Sequence, residues 1–131
     1  MKSFALKTTL ITMLTFYGYA RCSTCRNARK WLDDHNQPHT FIDITETPPP
    51  KELLLRIARS GAYQLRHLFN TSGQVYRELN VKSRLPDMSE DQAIDLLASH
   101  GKLIKRPIVV NAAGDRFTVG YKADVFERVW S

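Results

Sequence analysis

Leu14-Thr15-Phe16-Tyr17-Gly18-Tyr19, then Ala20-Arg21-Cys22-Ser23-Thr24-Cys25, then Arg26-Asn27-Ala28-Arg29-Lys30-Trp31-Leu32 is the stretch that decides the fold. Its first six residues, led by Leu14 and β-branched Thr15 and rich in aromatics, predict a strand. Its last seven have helical character. The two cysteines are the only ones in the chain, and they fall where strand gives way to helix. A sulfur at that junction faces unpaired backbone N–H groups and the positive end of the helix dipole, which favour thiolate over thiol. Arg21 and Arg26 are expected to add positive charge. Cysteines so placed have pKa values lowered to roughly 3.5–7.5. Cys25 lies one turn on, on the same face, where it can attack a mixed disulfide formed at Cys22. The arrangement suits thiol redox chemistry.

Two other readings of the pair compete with this one. His35 and His39 extend it to a C-x2-C-x9-H-x3-H spacing, which could belong to zinc. A continuous helical pattern fills the gap, however, and would carry His35 roughly 15–20 Å from the cysteines at 1.5 Å per residue. No metal is therefore expected. The remaining alternative is a pair of inert small hydrophobes, against which the flanking arginines and the helix start both argue.

The chain has 131 residues, 43% of them hydrophobic and 24% charged, as expected for one ordinary globular domain. A pair of cysteines three apart closes too short a loop to staple a fold, so a reducing, cytoplasmic setting is expected. The net charge of +6 admits anionic partners but selects none, and its plainest reading is a solvated basic surface. Direct nucleic-acid binding is not expected. Residues 1–12 read as an extension, either a tag or a misplaced start, with Met13 the candidate natural start; Lys2 and Lys7 interrupt any signal-peptide pattern. No run is long enough to span a bilayer, and no membrane partner is expected.

Further along, Pro38 to Ile44 reads as a second strand, making a βαβ unit. Thr47 is the expected cap of a helix entered through Pro48-Pro49-Pro50, with Leu53, Leu54, Ile57 and Ala58 as its apolar stripe. Short helices are expected over 62–69 and 75–79. Another should start at Ser89-Glu90-Asp91-Gln92 and stop at Gly101. Ile108-Val109-Val110, the turn Asn111 to Asp115, and Arg116 to Val119 form a hairpin, and a helix from Lys122 to Trp130 follows. The order β-α-β, helices, β-β-α is that of an α/β, thioredoxin-like fold. It implies a four-stranded mixed sheet with an inserted helical segment at about 51–101, in a single domain over 13–131.

Lys105-Arg106-Pro107 enters the third strand. In such a fold this loop packs against the cysteine turn, and a cis bond there exposes backbone groups for pairing with an extended thiol substrate. Arg106 would then stabilise the Cys22 thiolate or hold an anionic ligand, though by residue type alone it is a surface arginine. Arg66, between apolar neighbours, reads by itself as a solvated helix arginine.

With these pieces placed, the chain resembles the arsenate reductase / Spx family over about residues 13–130. The matching stretches are Phe16 to Arg26, Glu46-Thr47-Pro48-Pro49, the Arg66 segment, and Leu103 to Val110. Glutaredoxin-coupled arsenate reductases of the family use one nucleophilic cysteine and three arginines around the oxyanion. The resemblance places Cys22, Arg66 and Arg106 on the cysteine and two of those arginines. The third belongs near Thr118-Val119-Gly120, where the sequence has none, and Arg116 is displaced along the strand. Cys25 is a second departure, since C-x-x-C is shared with Spx-type regulators that bind the C-terminal domain of the RNA polymerase α subunit.

The expectation is thus a thiol-disulfide oxidoreductase with Cys22, Cys25 and Arg106 in its chemistry and Arg66, Arg106 and Pro107 on its substrate. It would carry no bound cofactor, and glutathione, glutaredoxin or a thioredoxin-type protein would be its reductant. An Spx-like regulator is the alternative, and arsenate reduction itself the third reading.

Overall fold

Strand alternation turns Leu14 and Phe16 to one face of β1 (Leu14–Gly18), and both are buried. The computed structural model describes residues 13–131, so the extension at 1–12 lies outside the described residues. Helix α1 (Ser23–Asp34) lays Cys25, Ala28, Trp31 and Leu32 against that face. Just past its C-cap, His35, Asn36 takes the left-handed conformation at φ 55°. The Gln37 N–H then donates to the Leu32 carbonyl at 2.8 Å and the Asn36 N–H to that of Asp33 at 3.2 Å. This reversal satisfies the last helical carbonyls and leads through Pro38 into β2 (His39–Asp43).

Strands β3 (Ile108–Val110) and β4 (Phe117–Val119) complete a mixed sheet of order β2-β1-β3-β4. Both ladders involving β3 are antiparallel, pairing Tyr17 with Ile108 and Ile108 with Val119. Helix α6 (Ala123–Trp130) joins α1 on the same face through Phe126 and Trp130. Phe126 meets Trp31 and Tyr121 edge-on, at 5.5 and 4.8 Å between ring centres. Thr118 is a buried polar residue in this layer, and its hydroxyl accepts the Trp130 indole N–H at 3.1 Å. The expected α/β, thioredoxin-like mixed sheet is present.

Two compact units divide the described chain: 13–42 with 106–131, and Asp43–Lys105. The second is helical, with α2 (Lys51–Arg59), α3 (Gln74–Glu78), α4 (Val81–Arg84) and α5 (Glu90–Ser99). Helices α2 and α5 pack together, and Arg59 meets Glu90 at 2.8 Å across their surface. Helix α5 opens with a reciprocal cap, in which Ser89 Oγ accepts the Gln92 N–H and Gln92 Oε1 accepts the Ser89 N–H. Among the described residues no helix is long and apolar enough to cross a membrane.

Three local expectations differ from what is found. Thr47 does not cap α2; the N-cap is Pro50, extended at φ −56°, ψ 145°, because the prolines precede the helix instead of entering its first turn. Of the helix expected over 62–69, only a 3₁₀ turn at Leu65–Leu68 forms. Phe69 leaves it extended and bridges Ile104, while the Asn70 and Lys105 N–H groups bond the Leu103 and Leu68 carbonyls. Gly101 follows the end of α5 as expected but is not its left-handed cap, since it begins another 3₁₀ turn. A glycine is needed there for space: a Cβ would overlap the Ile44 carbonyl oxygen and lie 2.8 Å from Thr45 Cα.

Candidate active site

Cys22 is the N-cap of α1, its backbone still extended at φ −81°, ψ 121°. Its N–H donates to the Tyr19 carbonyl at 3.1 Å, closing the turn after β1, and its carbonyl accepts the Arg26 N–H at 3.0 Å. The first turn of α1 holds no acidic side chain, whereas α2, α5 and α6 place Glu52, Glu90 and Asp91, and Asp124 there. An acid at a helix start neutralises the positive end of the dipole. In α1 that end is left to the sulfur.

Cys22 is partly exposed, and its sulfur forms no disulfide. Burial opposes its ionisation, but donors aimed at it prevail: the Cys25 N–H, the Cys25 thiol and the Arg106 guanidinium, whose charge adds to the effect. Its pKa lies below the ordinary thiol value. No full capping hydrogen bond forms at this sulfur, so these donors act by direction and charge. Arg21 and Arg26, expected to help, are both exposed and are not among the groups that shift it. Arg106 supplies the positive charge, half-buried at the entrance to β3.

Cys25 is a different kind of sulfur. Only 1% exposed, it belongs to the hydrophobic core with Phe16, Ala28 and Leu32. Burial pushes its thiol up to about 12, the Cys22 sulfur pushes the same way, and the Tyr19 N–H 3.5 Å away and Arg106 only partly offset this. The spacing of Cys25, Ala28 and Leu32 at i, i+3, i+7 was the sequence signal for that burial. Gly18 permits it, because a Cβ there would come within 3.2 Å of Cys25 Sγ and 2.5 Å of Phe16 Cε1. Glycine inside a strand often marks such a close approach.

The other candidate residues are distributed as follows. The Arg106–Pro107 bond is cis, and buried Pro107 accepts the Gly120 N–H at 2.8 Å. A substrate strand pairing through that carbonyl would compete with an existing bond. Arg66 belongs to the helical unit, exposed on its 3₁₀ turn, with Nε donating to Gln64 Oε1 at 3.0 Å. Arg116 precedes β4, and Phe117 pairs with Val110 at the far end of the hairpin from Pro107 and Gly120. Its guanidinium donates to the Val129 carbonyl at 2.9 Å and lies over Trp130, which commits it to the end of α6. His35 caps the opposite end of α1 from Cys22 and stacks on Trp31 at 3.7 Å. Tyr19 carries no sequence signal for a role, yet its backbone touches both cysteines and its ring lies 5.4 Å from the Arg106 guanidinium carbon.

The site can therefore hold one ionised sulfur at the surface with a protonated one behind it. Replacing Arg106 with alanine should raise the Cys22 pKa and slow its alkylation near neutral pH by about tenfold. The pH profile of iodoacetamide labelling checks this. An unchanged profile would remove Arg106 from the site. The linkage to stability has opposite signs at the two sulfurs. Cys22, with its native pKa lowered, favours the folded chain above the ordinary value of 9.0, and that contribution fades as pH falls through the lowered one. Cys25, raised to about 12, disfavours folding as pH climbs from 9.0 toward that value.

Residues 17–129 match the ArsC family. The chain is similar to the uncharacterized protein YusI of Bacillus subtilis, 49% identical over 90% of this chain and 98% of that protein. It is also similar to the regulatory protein MgsR of the same organism, 32% identical over 82% of each chain. Among solved structures, one of a possible arsenate reductase from Streptococcus mutans is 44% identical, with a TM-score of 0.78 over 85% of this chain and 92% of that one.

Proposed function

Since the chain belongs to the ArsC family, we propose that it is a cytoplasmic thiol-disulfide oxidoreductase that works through Cys22 and Cys25. The observation that carries this reading is the partly exposed, ionisation-favoured Cys22 sulfur with the Cys25 thiol aimed at it from behind. In the first step the Cys22 thiolate attacks one sulfur of an oxidised substrate. A new S–S bond forms, the substrate's own S–S bond breaks, and its other sulfur leaves as a thiolate that takes up a proton. Cys25 then gives up its proton and attacks Cys22. The internal disulfide forms and the second substrate sulfur is released. The substrate gains two electrons and the chain loses two. Glutathione, glutaredoxin or a thioredoxin-type protein returns them, with no bound cofactor. Arg106 steadies the thiolate, and Arg106 with Pro107 forms the edge on which the substrate rests.

The test is consumption of reductant by the wild-type chain with a small disulfide, glutathione and thioredoxin being compared as donors. Turnover with either supports the reading, and none with both defeats it. A second reading follows from the likeness to a regulatory protein with which this chain is 32% identical over 114 residues. In it the same pair switches binding to the C-terminal domain of the RNA polymerase α subunit, and capture by that domain in only one redox state, without turnover, would favour it. Arsenate reduction is weaker, because Arg116, the arginine nearest the third expected position, is held at the end of α6.

A further inference from the structure

We infer that Tyr19 is a positioning residue of this site, its ring holding the Arg106 guanidinium over the Cys22 sulfur. The inference rests on the proposed role of Cys22 and adds a residue to it. Three contacts converge on Tyr19. Its carbonyl accepts the Cys22 N–H at 3.1 Å and so fixes where the N-cap sulfur sits. Its own N–H is directed at Cys25 Sγ, 3.5 Å away. Its ring presents the Arg106 guanidinium carbon at 5.4 Å from the ring centre, within range of a cation–π contact.

Arginine is a long side chain with much rotamer freedom, so a guanidinium near the surface does not stay over a target unless something confines it. Carboxylates are the usual confining groups, but one here would weaken the positive field that the thiolate needs. An aromatic face holds the cation without cancelling its charge. Among the described residues Arg106 takes part in no ion pair with a carboxylate, and the Tyr19 ring is the aromatic face it lies over. The ring and the peptide groups of one residue thus set the positions of the cation and of both sulfurs.

The test reads the thiol itself, without substrate or donor, so it can fail while turnover stands, and turnover can fail while it stands. Tyr19→Leu and Tyr19→Met remove the ring but keep apolar bulk beside the sulfur, while Tyr19→Phe keeps the ring and loses only the hydroxyl. Each is made with Arg106 present and with Arg106→Ala, and thiolate absorbance and alkylation rate at fixed near-neutral pH are measured. The ring-less variants should be slowed about two- to fivefold, the size of a half-exposed cation–π contact, and Tyr19→Phe should match the wild type. In the Arg106→Ala background the ring-less variants should have no further effect. Three results would overturn the inference: equal slowing in both backgrounds, which makes the ring mere packing; slowing by Tyr19→Phe, which makes the hydroxyl the active group; and no slowing at all.

Discussion

Cys22→Ser is expected to abolish thiol-disulfide turnover, by at least ~10³-fold, while Cys25→Ser completes one attack and stops with the substrate still attached. A serine hydroxyl at the same N-cap is not ionised near neutral pH, so the donors around it have no anion to stabilise. Cys25→Ser leaves the nucleophile in place and removes the sulfur that would release the adduct. The difference follows from the environments of the two sulfurs. While Cys22 is anionic it helps to hold Cys25 protonated, on top of the effect of burial. Once Cys22 is tied up in a mixed disulfide, its negative charge is gone and that part of the elevation goes with it. Cys25 therefore becomes a better nucleophile at the moment an adduct forms in front of it. Intact-mass measurement after mixing with a disulfide checks this: Cys25→Ser should carry one adduct per chain and the wild type none. Turnover of Cys22→Ser equal to wild type would refute the assignment outright.

Gly101→Ala should destabilise the chain by about 3 kcal/mol or more, among the largest costs open to a single methyl group. The added Cβ would overlap the Ile44 carbonyl oxygen and crowd its carbon and Thr45 Cα, each 2.8 Å away, and all of these are backbone atoms. No side-chain rotation can relieve the overlap. The segment after β2 must move away from the turn after α5, and buried Ile44, Leu103 and Ile104 lie on that path. Gly61→Ala is the informative control. It meets no atom within 4 Å, and at φ +81° it pays only for conformation, about 1–2 kcal/mol. Chemical denaturation of both variants decides the matter, and a Gly101→Ala no less stable than Gly61→Ala would show that the contact is relieved at little cost.

The cysteine junction was legible because two independent periodicities, two in β1 and 3.6 in α1, change between Tyr19 and Cys22. The hairpin of β3 and β4 could be read from an apolar run and an Asn-to-Asp turn, and the Ser89 cap from the glutamine three residues on. What escaped was set by partners distant in sequence. Nothing local says that Phe69 will bridge Ile104 and end the helical pattern at Leu68. Arg21 and Arg26 looked like the electrostatic partners of Cys22 because they are near in sequence. The cation that reaches the sulfur comes from 84 positions further along the chain, where β3 runs antiparallel to β1 and brings Arg106 back to the turn. Gly101 was noticed for its flexibility when its role is lack of bulk, a distinction that only the neighbouring backbone reveals. The burial of Cys25 follows its stripe with Ala28 and Leu32, which points inward.

The depth at which Cys25 lies gives the folded chain an internal gauge. In the native state a small alkylating reagent should tag a single site, and the second tag can be added only when the end of α1 lifts from β1. Counting tags against time would then measure how often that corner breathes.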